Sequence, residues 1–173
     1  MNRRSLFKNL AIVAGGILIL PSCSGDKAKA SIELDKLDIS AEQEKLLGDV
    51  ADTIIPATDT PGAKALNIHL FVLKMMNDCY EKTDQEKFVS GMNQMNASAK
   101  KSFGASFSEG TVKQRQELLQ SLEQKTASAE QAYFYEIMKD RTIQGYMNSK
   151  YVMTNLVIYE LIPSKPYNGY APA

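Results

Sequence analysis

The sequence predicts an all-α protein, a compact bundle of about six helices with an extended C-terminal tail. Apolar residues recur at helical spacing in several segments between residues 40 and 161, and serine, threonine or aspartate residues able to cap a helix precede most of them. No Asn-Gly or Asp-Gly turn separates two alternating apolar runs, so no β-hairpin is expected. With 173 residues, 44% apolar and 23% charged, the chain has the length and composition of one globular domain.

The first helix is predicted over about residues 41–55. Ser40 and Gln43, three positions apart, form the pattern of a capping box at its start. Pro56 lacks a backbone N–H and ends the helix. The apolar face contains Leu46, Leu47, Val50, Ala51, Ile54 and Ile55.

The second helix follows a turn-rich connection and is predicted to run to about Cys79. Thr60 can cap it, and Pro61 suits the first helical position because no N–H donor is needed there. Apolar side chains lie on nearly all sides: Ala65, Leu66, Ile68, Leu70, Phe71, Val72, Leu73, Met75 and Met76. Such a helix must be buried on several sides, by the bundle or by a partner, and is the best candidate for a central helix.

Three further helices begin at residues that can cap them. Asp84 can cap the third helix, and Gly104 ends it. Thr111 and Gln114 repeat the capping-box pattern at the start of the fourth, and Ser128 can cap the long fifth. The side chains expected to face the core are Phe88, Val89, Met92, Met95, Ala99 and Phe103, then Leu118, Leu119 and Leu122, then Phe134, Tyr135, Met138, Thr142, Gly145 and Tyr146.

A sixth helix and a tail complete the predicted domain. The helix runs from about Lys150 to Leu161 and carries Val152, Met153, Leu156, Val157 and Tyr159. Residues 163–172 contain three prolines and two tyrosines and cannot continue a helix.

The N-terminus is predicted to be an export signal over residues 1–22. A positive cluster is followed by eleven residues, 10–20, that are all apolar or glycine. Eleven helical residues rise only about 16 Å, so a permanent membrane-spanning helix is the poorer alternative. Arg3 and Arg4, followed by Ser-Leu-Phe-Lys, resemble the twin-arginine signal, which implies export of an already folded protein.

A lipid anchor is expected directly after this signal. Leu-Pro-Ser-Cys, ending at Cys23, resembles a lipobox, although Pro21 is an atypical occupant of its position. The alternative is that Cys23 is only a small residue near an ordinary cleavage site. Residues 23–39 are predicted to be a flexible tether, and residues 40–173 the helical domain. The mature protein is then lipid-anchored to a membrane of the periplasm or cell envelope.

Composition excludes several functions. Twenty basic residues against twenty acidic ones provide no net field for nucleic acid, and no basic stripe occurs outside the N-terminus. A single histidine excludes multi-histidine metal sites, and the motifs for covalent haem, dinucleotides and phosphate cradles are missing from the sequence. We therefore expect no catalytic residues, no metal site and no cofactor bound by this chain.

The side chains that could in principle be reactive are interpreted as structural rather than catalytic. His69 lies on the most apolar helix and is interpreted as a satisfied core or interface group rather than a catalytic base. Cys79 is interpreted as a small buried side chain. Asp49, Asp52 and Asp59 are expected on exposed faces or at a cap.

Two segments are candidates for a partner interface. The loop between the first two helices is made rigid by two prolines and by polar side chains that can bond neighbouring amides. The alternative is a helix connection with good caps. The tail offers tyrosines, which bury much area at little entropic cost. The candidate interface residues are Pro56, Thr58, Asp59, Pro61, Gly62, Pro163, Tyr167 and Tyr170.

Residues 54–63, Ile-Ile-Pro-Ala-Thr-Asp-Thr-Pro-Gly-Ala, resemble the Ile-Ile-Pro-x-Thr-Asp-Thr-Pro-Gly-Ala stretch typical of the gluconate 2-dehydrogenase subunit 3 family. The resemblance spans about residues 40–170. Its other matching positions are Asp78, Phe88, Gly91, Phe103, Gly104, Phe107, Gln114, Arg115, Leu118, Leu119, Thr142, Gly145 and Tyr146.

The resemblance implies a non-catalytic small subunit that accompanies a large FAD-dependent dehydrogenase of the glucose-methanol-choline type. A cytochrome c subunit carrying haem c often completes such a complex, which oxidises sugars or sugar acids outside the cytoplasm. In the family the small subunit typically bears the twin-arginine signal that the flavoprotein lacks, in agreement with Arg3 and Arg4. Two other functions stay open: a free-standing lipid-anchored helical binding protein, and a redox-active subunit with its own cofactor.

Overall fold

A computed structural model describes residues 29–123 and 127–157 and confirms the all-α class. Within these residues the α-helices are α1 (Ala41–Ile54), α2 (Ile68–Cys79), α3 (Lys82–Phe103), α4 (Val112–Glu123) and α5 (Ala129–Met147). A 3₁₀ turn (Phe107–Glu109), not predicted, lies between α3 and α4, and a π-helical turn (Val152–Leu156) follows α5. Arg3, Arg4 and Cys23, and Pro163, Tyr167 and Tyr170, lie outside the described residues.

Local capping follows the prediction at the starts of α1 and α4 and at the end of α3. The side chains of Ser40 and Gln43 bond each other's backbone N–H groups at the start of α1, as the capping box requires. Thr111 and Gln114 exchange the same pair of bonds before α4. Gly104 ends α3 in the left-handed conformation with φ 74°, which glycine adopts without a Cβ penalty.

The start of α2 corrects the prediction. The helix begins at Ile68 rather than near Pro61, and residues 63–67 form turns. The reason is that Asn67 adopts a left-handed conformation with φ 54°, which interrupts right-handed helical geometry directly before Ile68. Thr60 does not cap α2, because its hydroxyl oxygen lies 3.2 Å from the Tyr146 hydroxyl instead.

Two other helix boundaries also differ. α3 begins at Lys82 with Glu81 as its N-cap, which places Asp84 inside the first turn. Of the predicted sixth helix, residues 150–151 are α-helical and residues 152–156 form the π-helical turn, with Val157 as its C-cap; residues 158–161 lie outside the described part of the chain. Of the apolar side chains that this turn carries, Val152 is buried and Leu156 is 55% exposed.

The central helix is α5 and not α2. α5 packs against all four other α-helices and against the π-helical turn, whereas the main neighbours of α2 are α1 and α5. The most extensive contact of α5 is with α3, where the centroids of the Phe88 and Phe134 rings lie 5.1 Å apart. Gly91 allows this approach, because a Cβ there would lie 2.1 Å from the carbonyl oxygen of Glu130.

Residues 29–39 pack against the helical domain, although the prediction placed them in the tether. Leu37 and Ile39 are buried in the core. The Ala30 N–H donates to the Ile39 carbonyl oxygen at 3.0 Å, which closes the segment into a loop. The buried Asn77 side chain accepts bonds from the backbone N–H groups of residues 36 and 37, at 2.9 and 3.3 Å. Packing therefore begins before residue 40.

Replacing Asn77 by alanine is expected to destabilise the domain by about 1–3 kcal/mol, because the buried N–H of Leu37 and the part-buried N–H of Lys36 lose their acceptor. Amide hydrogen exchange at Lys36 and Leu37 should speed up more than elsewhere. Asn93→Ala is the matched control, because Asn93 is exposed and accepts only one long bond, 3.3 Å from Gln43. Equal effects of the two substitutions would contradict the role assigned to Asn77.

Candidate interface around the Pro56–Gly62 loop

The Pro56–Gly62 loop is closed by its own backbone. The Ala63 N–H donates to the Ile55 carbonyl oxygen at 2.9 Å and joins the two ends of the loop. Within the loop, the Thr58 N–H donates to the Thr60 carbonyl oxygen at 3.0 Å. Gly62 is buried, and a Cβ there would lie 2.6 Å from the Ala57 nitrogen, so only glycine fits. Sequence reasoning anticipated a rigid loop from its prolines and glycine.

The predicted interface residues of this loop divide into two groups. Pro56, Thr58 and Asp59 are exposed, together with Ala57, and form its outer surface. Pro61 is half-buried and Gly62 is buried, so these two shape the loop rather than present side chains to a partner. The loop thus offers a small polar surface on a fixed backbone.

Tyr146 attaches the loop to α5. Its hydroxyl donates to the carbonyl oxygen of Pro61 at 3.0 Å and also lies close to the Thr60 hydroxyl. Sequence reasoning placed Tyr146 on the inner face of its helix but missed this role. The two bonded residues are 85 positions apart, so no local pattern could indicate the contact.

A buried carboxylate lies beneath the loop. Asp49 of α1 is buried, not exposed as predicted, and its Oδ1 forms an ion pair with the Lys64 Nζ at 2.5 Å. Burial is possible because Lys64 supplies a charge partner. The Asp49 Oδ2 has no hydrogen-bond partner among the described residues. Of the other two predicted acids, Asp52 is half-buried beside Gly62 and Asp59 is exposed.

His69 packs against α1 in the same region. It is buried as predicted, but its Nδ1 has no hydrogen-bond partner among the described residues, so it is not the satisfied group that was expected. Burial lowers the pKa of His69 below its ordinary 6.5, because the imidazolium would lose its hydration. The Lys64 charge lowers this pKa further, whereas Glu44 and Asp49 oppose the shift.

The lowered pKa of His69 predicts a pH dependence of stability. Below about pH 6.5 His69 binds a proton more readily in the unfolded chain than in the folded chain. The free energy of unfolding should therefore fall as the pH drops. Urea unfolding at about pH 7.5 and about pH 5.5 should detect this loss, whose slope cannot exceed about 1.4 kcal/mol per pH unit for one histidine. His69→Gln should remove most of the dependence. If the unfolding free energy of the variant changes with pH as steeply as that of the original chain, other titratable groups must cause the dependence.

An apolar groove of about 550 Å³ lies next to the loop, between the end of α1, α4 and α5. Lys139 and Glu123 form an ion pair across it at 2.5 Å, and this bond to Glu123 raises the pKa of Lys139. Its lining contains Ile54, Ile55, Leu119, Tyr135 and Ile143, with Thr53, Gln116 and Gln120. Sequence reasoning missed this groove, because its walls come from three separate segments.

Within residues 29–123 and 127–157 no group of three His, Cys, Asp or Glu side chains could hold a metal ion. Cys79, predicted to be buried, is an exposed free thiol, because it is the last residue of α2 and lies off the buried face. No helix in the same part of the chain has both the length and the apolar character needed to cross a membrane.

Comparison with known proteins gives one match. A family model described as gluconate 2-dehydrogenase subunit 3 matches residues 41–164, which include the Pro56–Gly62 loop and all five α-helices. No curated protein and no solved structure matches the chain.

Proposed function

The chain belongs to the gluconate 2-dehydrogenase subunit 3 family, and from that premise we propose that it is the non-catalytic small subunit of an exported dehydrogenase complex. Its partner is a large FAD-dependent subunit of the glucose-methanol-choline type that oxidises a sugar or sugar acid. A cytochrome c is the candidate third subunit. The family match over residues 41–164 is the observation that carries this proposal.

The role of the chain in this proposal is export, assembly and membrane attachment of the flavoprotein. Arg3 and Arg4 direct the folded pair to the twin-arginine route, which accepts a partner already loaded with FAD. Lipid on Cys23 then holds the complex at a membrane of the cell envelope, because two or three acyl chains suffice for stable anchoring. FAD belongs to the partner, and no cofactor is assigned to this chain.

The Pro56–Gly62 loop is the proposed contact with the flavoprotein. Its outer residues are exposed, while internal bonds and Tyr146 hold its backbone in place. A loop ordered before binding loses little conformational entropy on binding, which favours affinity.

Copurification tests the proposal directly. The full chain, tagged at its C-terminus, is extracted from the envelope with mild detergent and purified under native conditions. A flavoprotein in a fixed ratio to the chain is expected, with dehydrogenase activity toward a sugar or sugar acid. A monodisperse monomer without flavoprotein would instead support the free-standing lipid-anchored binding protein.

Removing residues 163–173 is expected to weaken this copurification, because the deletion takes away Tyr167 and Tyr170 as interface anchors. The tag is moved to a site between Cys23 and Lys29 for this comparison. Lys113→Ala, at an exposed site on α4, is the control that should leave the yield of complex unchanged. Unchanged yield on deletion would remove the tail from the interface.

A further inference from the structure

We propose that the N-terminal end of α1 faces the lipid surface to which the chain is anchored, and that the Pro56–Gly62 loop lies at the opposite, membrane-distal end of α1. This inference rests on the lipid at Cys23 in the proposed function. It adds an orientation to that function, because the membrane and the flavoprotein are then met at opposite ends of one helix.

The folded domain begins beside the N-terminal end of α1. Lys29 forms an antiparallel backbone bridge with Ser40, the N-cap residue of this helix. The backbone N–H and the hydroxyl of Ser31 both donate to the carboxylate of Glu44, which lies in the first turn of α1. The chain is therefore fixed at this end of the helix from residue 29 onward.

The connection between this point and the lipid anchor is short. Only residues 24–28 separate Cys23 from Lys29. Six residue steps span at most about 22 Å, whatever conformation these residues adopt. A tether that extended to residue 39, as the sequence suggested, could span about 58 Å and would set no orientation. Because packing begins at residue 29 instead, the Lys29 end of the domain is held near the bilayer.

The length of α1 separates this end from the Pro56–Gly62 loop. The helix has 14 residues, which rise about 21 Å, and its C-cap Ile55 directly precedes the loop. The tether restrains only the N-terminal end of α1, so the loop lies farther from the bilayer on average. Pro56, Thr58 and Asp59 are exposed there and are accessible to a protein in the aqueous phase.

The two ends also differ in surface chemistry. Acidic side chains outnumber basic ones over residues 29–45, and none of the large apolar side chains that are exposed among the described residues lies in this segment. Such a surface can face lipid headgroups but does not insert between acyl chains. The exposed Ile143 and Met147 lie instead near the C-terminal end of α5, to which Tyr146 holds the loop. The loop end therefore suits a protein partner, and the anchor end suits a headgroup surface.

Spin labels on the lipidated full chain test this orientation in vesicles. Cys79→Ser removes the exposed thiol, and one label is attached through Glu42→Cys at the anchor end or through Thr58→Cys in the loop, both exposed positions. The vesicles are neutral phospholipid with a small fraction of nickel-chelating lipid, whose nickel speeds the relaxation of nearby labels. Without any partner, we expect strong relaxation enhancement at position 42 and its loss at position 58.

A longer tether is the matched control. About twenty Gly/Ser residues inserted between residues 28 and 29 add about 25 Å of mean reach, so the enhancement at position 42 should fall to the level at position 58. Enhancement at position 42 that survives the insertion would overturn the proposal, because direct binding of the domain would then set the orientation.

Two further outcomes separate this inference from the proposed function. Equal enhancement at the two positions of the original chain, or stronger enhancement at position 58, would overturn the orientation and leave the lipid anchor in place. A full chain that does not float with the vesicles would overturn the anchor itself, and the orientation with it.

Discussion

Replacing Gly91 by alanine is expected to destabilise the bundle by about 3 kcal/mol or more. A Cβ at this position would lie 2.1 Å from the carbonyl oxygen of Glu130 and 2.7 Å from its carbonyl carbon. These are backbone atoms in the first turn of α5, so the clash cannot be relieved by rotating a side chain. It would force α3 and α5 apart near the contact between Phe88 and Phe134.

Gly48→Ala is the matched control for this prediction. Gly48 is also a buried glycine inside a helix, but its added Cβ would lie 3.6 Å from the His69 ring, an ordinary contact. Alanine should therefore be neutral there or stabilise α1 by about 0.5–1 kcal/mol through its helix propensity. Urea unfolding followed by circular dichroism measures both variants. Similar midpoints for the two would show that the close approach of α3 and α5 does not limit stability.

If the proposed function holds, replacing both Arg3 and Arg4 by lysine is expected to retain this chain and the proposed flavoprotein partner in the cytoplasm almost completely. Lysine keeps the positive charge but lacks the planar guanidinium that can form paired hydrogen bonds, so a receptor that recognises paired arginines should no longer bind. Cell fractionation with detection of both proteins gives the measurement. Lys8→Arg, which also keeps charge in the signal, should leave export intact.

The two proteins must respond together for shared export to hold. The flavoprotein has no other route in this account, so its envelope fraction should fall in parallel with that of the small subunit. Retention of this chain alone, with the flavoprotein still exported, would contradict shared export.

The features predicted successfully from the sequence are those that local chemistry determines. The capping pairs of Ser40 with Gln43 and Thr111 with Gln114 join residues three positions apart, so the sequence contains both partners of each bond. The buried stripe of α3 likewise follows from helical periodicity, and Gly104 ends that helix as expected.

The features that escaped prediction depend on contacts between distant segments. Pro61 suits a helix start locally, but the left-handed conformation of Asn67 delays α2 to Ile68. Asp49 is buried only because Lys64, which lies in the turns after the loop, folds back to pair with it. The apolar character of α2 suggested a central position, yet helix packing gives that position to α5.

The candidate interface was predictable only in part for the same reason. Proline and glycine positions indicate the rigid Pro56–Gly62 loop from sequence alone. Its attachment by Tyr146 and the adjacent groove require the packed arrangement of α1, α4 and α5, which no single segment encodes.

The most direct test of the central claim is to determine which polypeptide of the purified complex holds the flavin and turns over substrate. The chain expressed without its partner is purified alongside the complex, and visible absorbance and sugar oxidation are measured for both. This account predicts flavin absorbance and activity in the complex, and neither in the isolated chain. A bound prosthetic group, or oxidation of any sugar by the isolated chain, would contradict it.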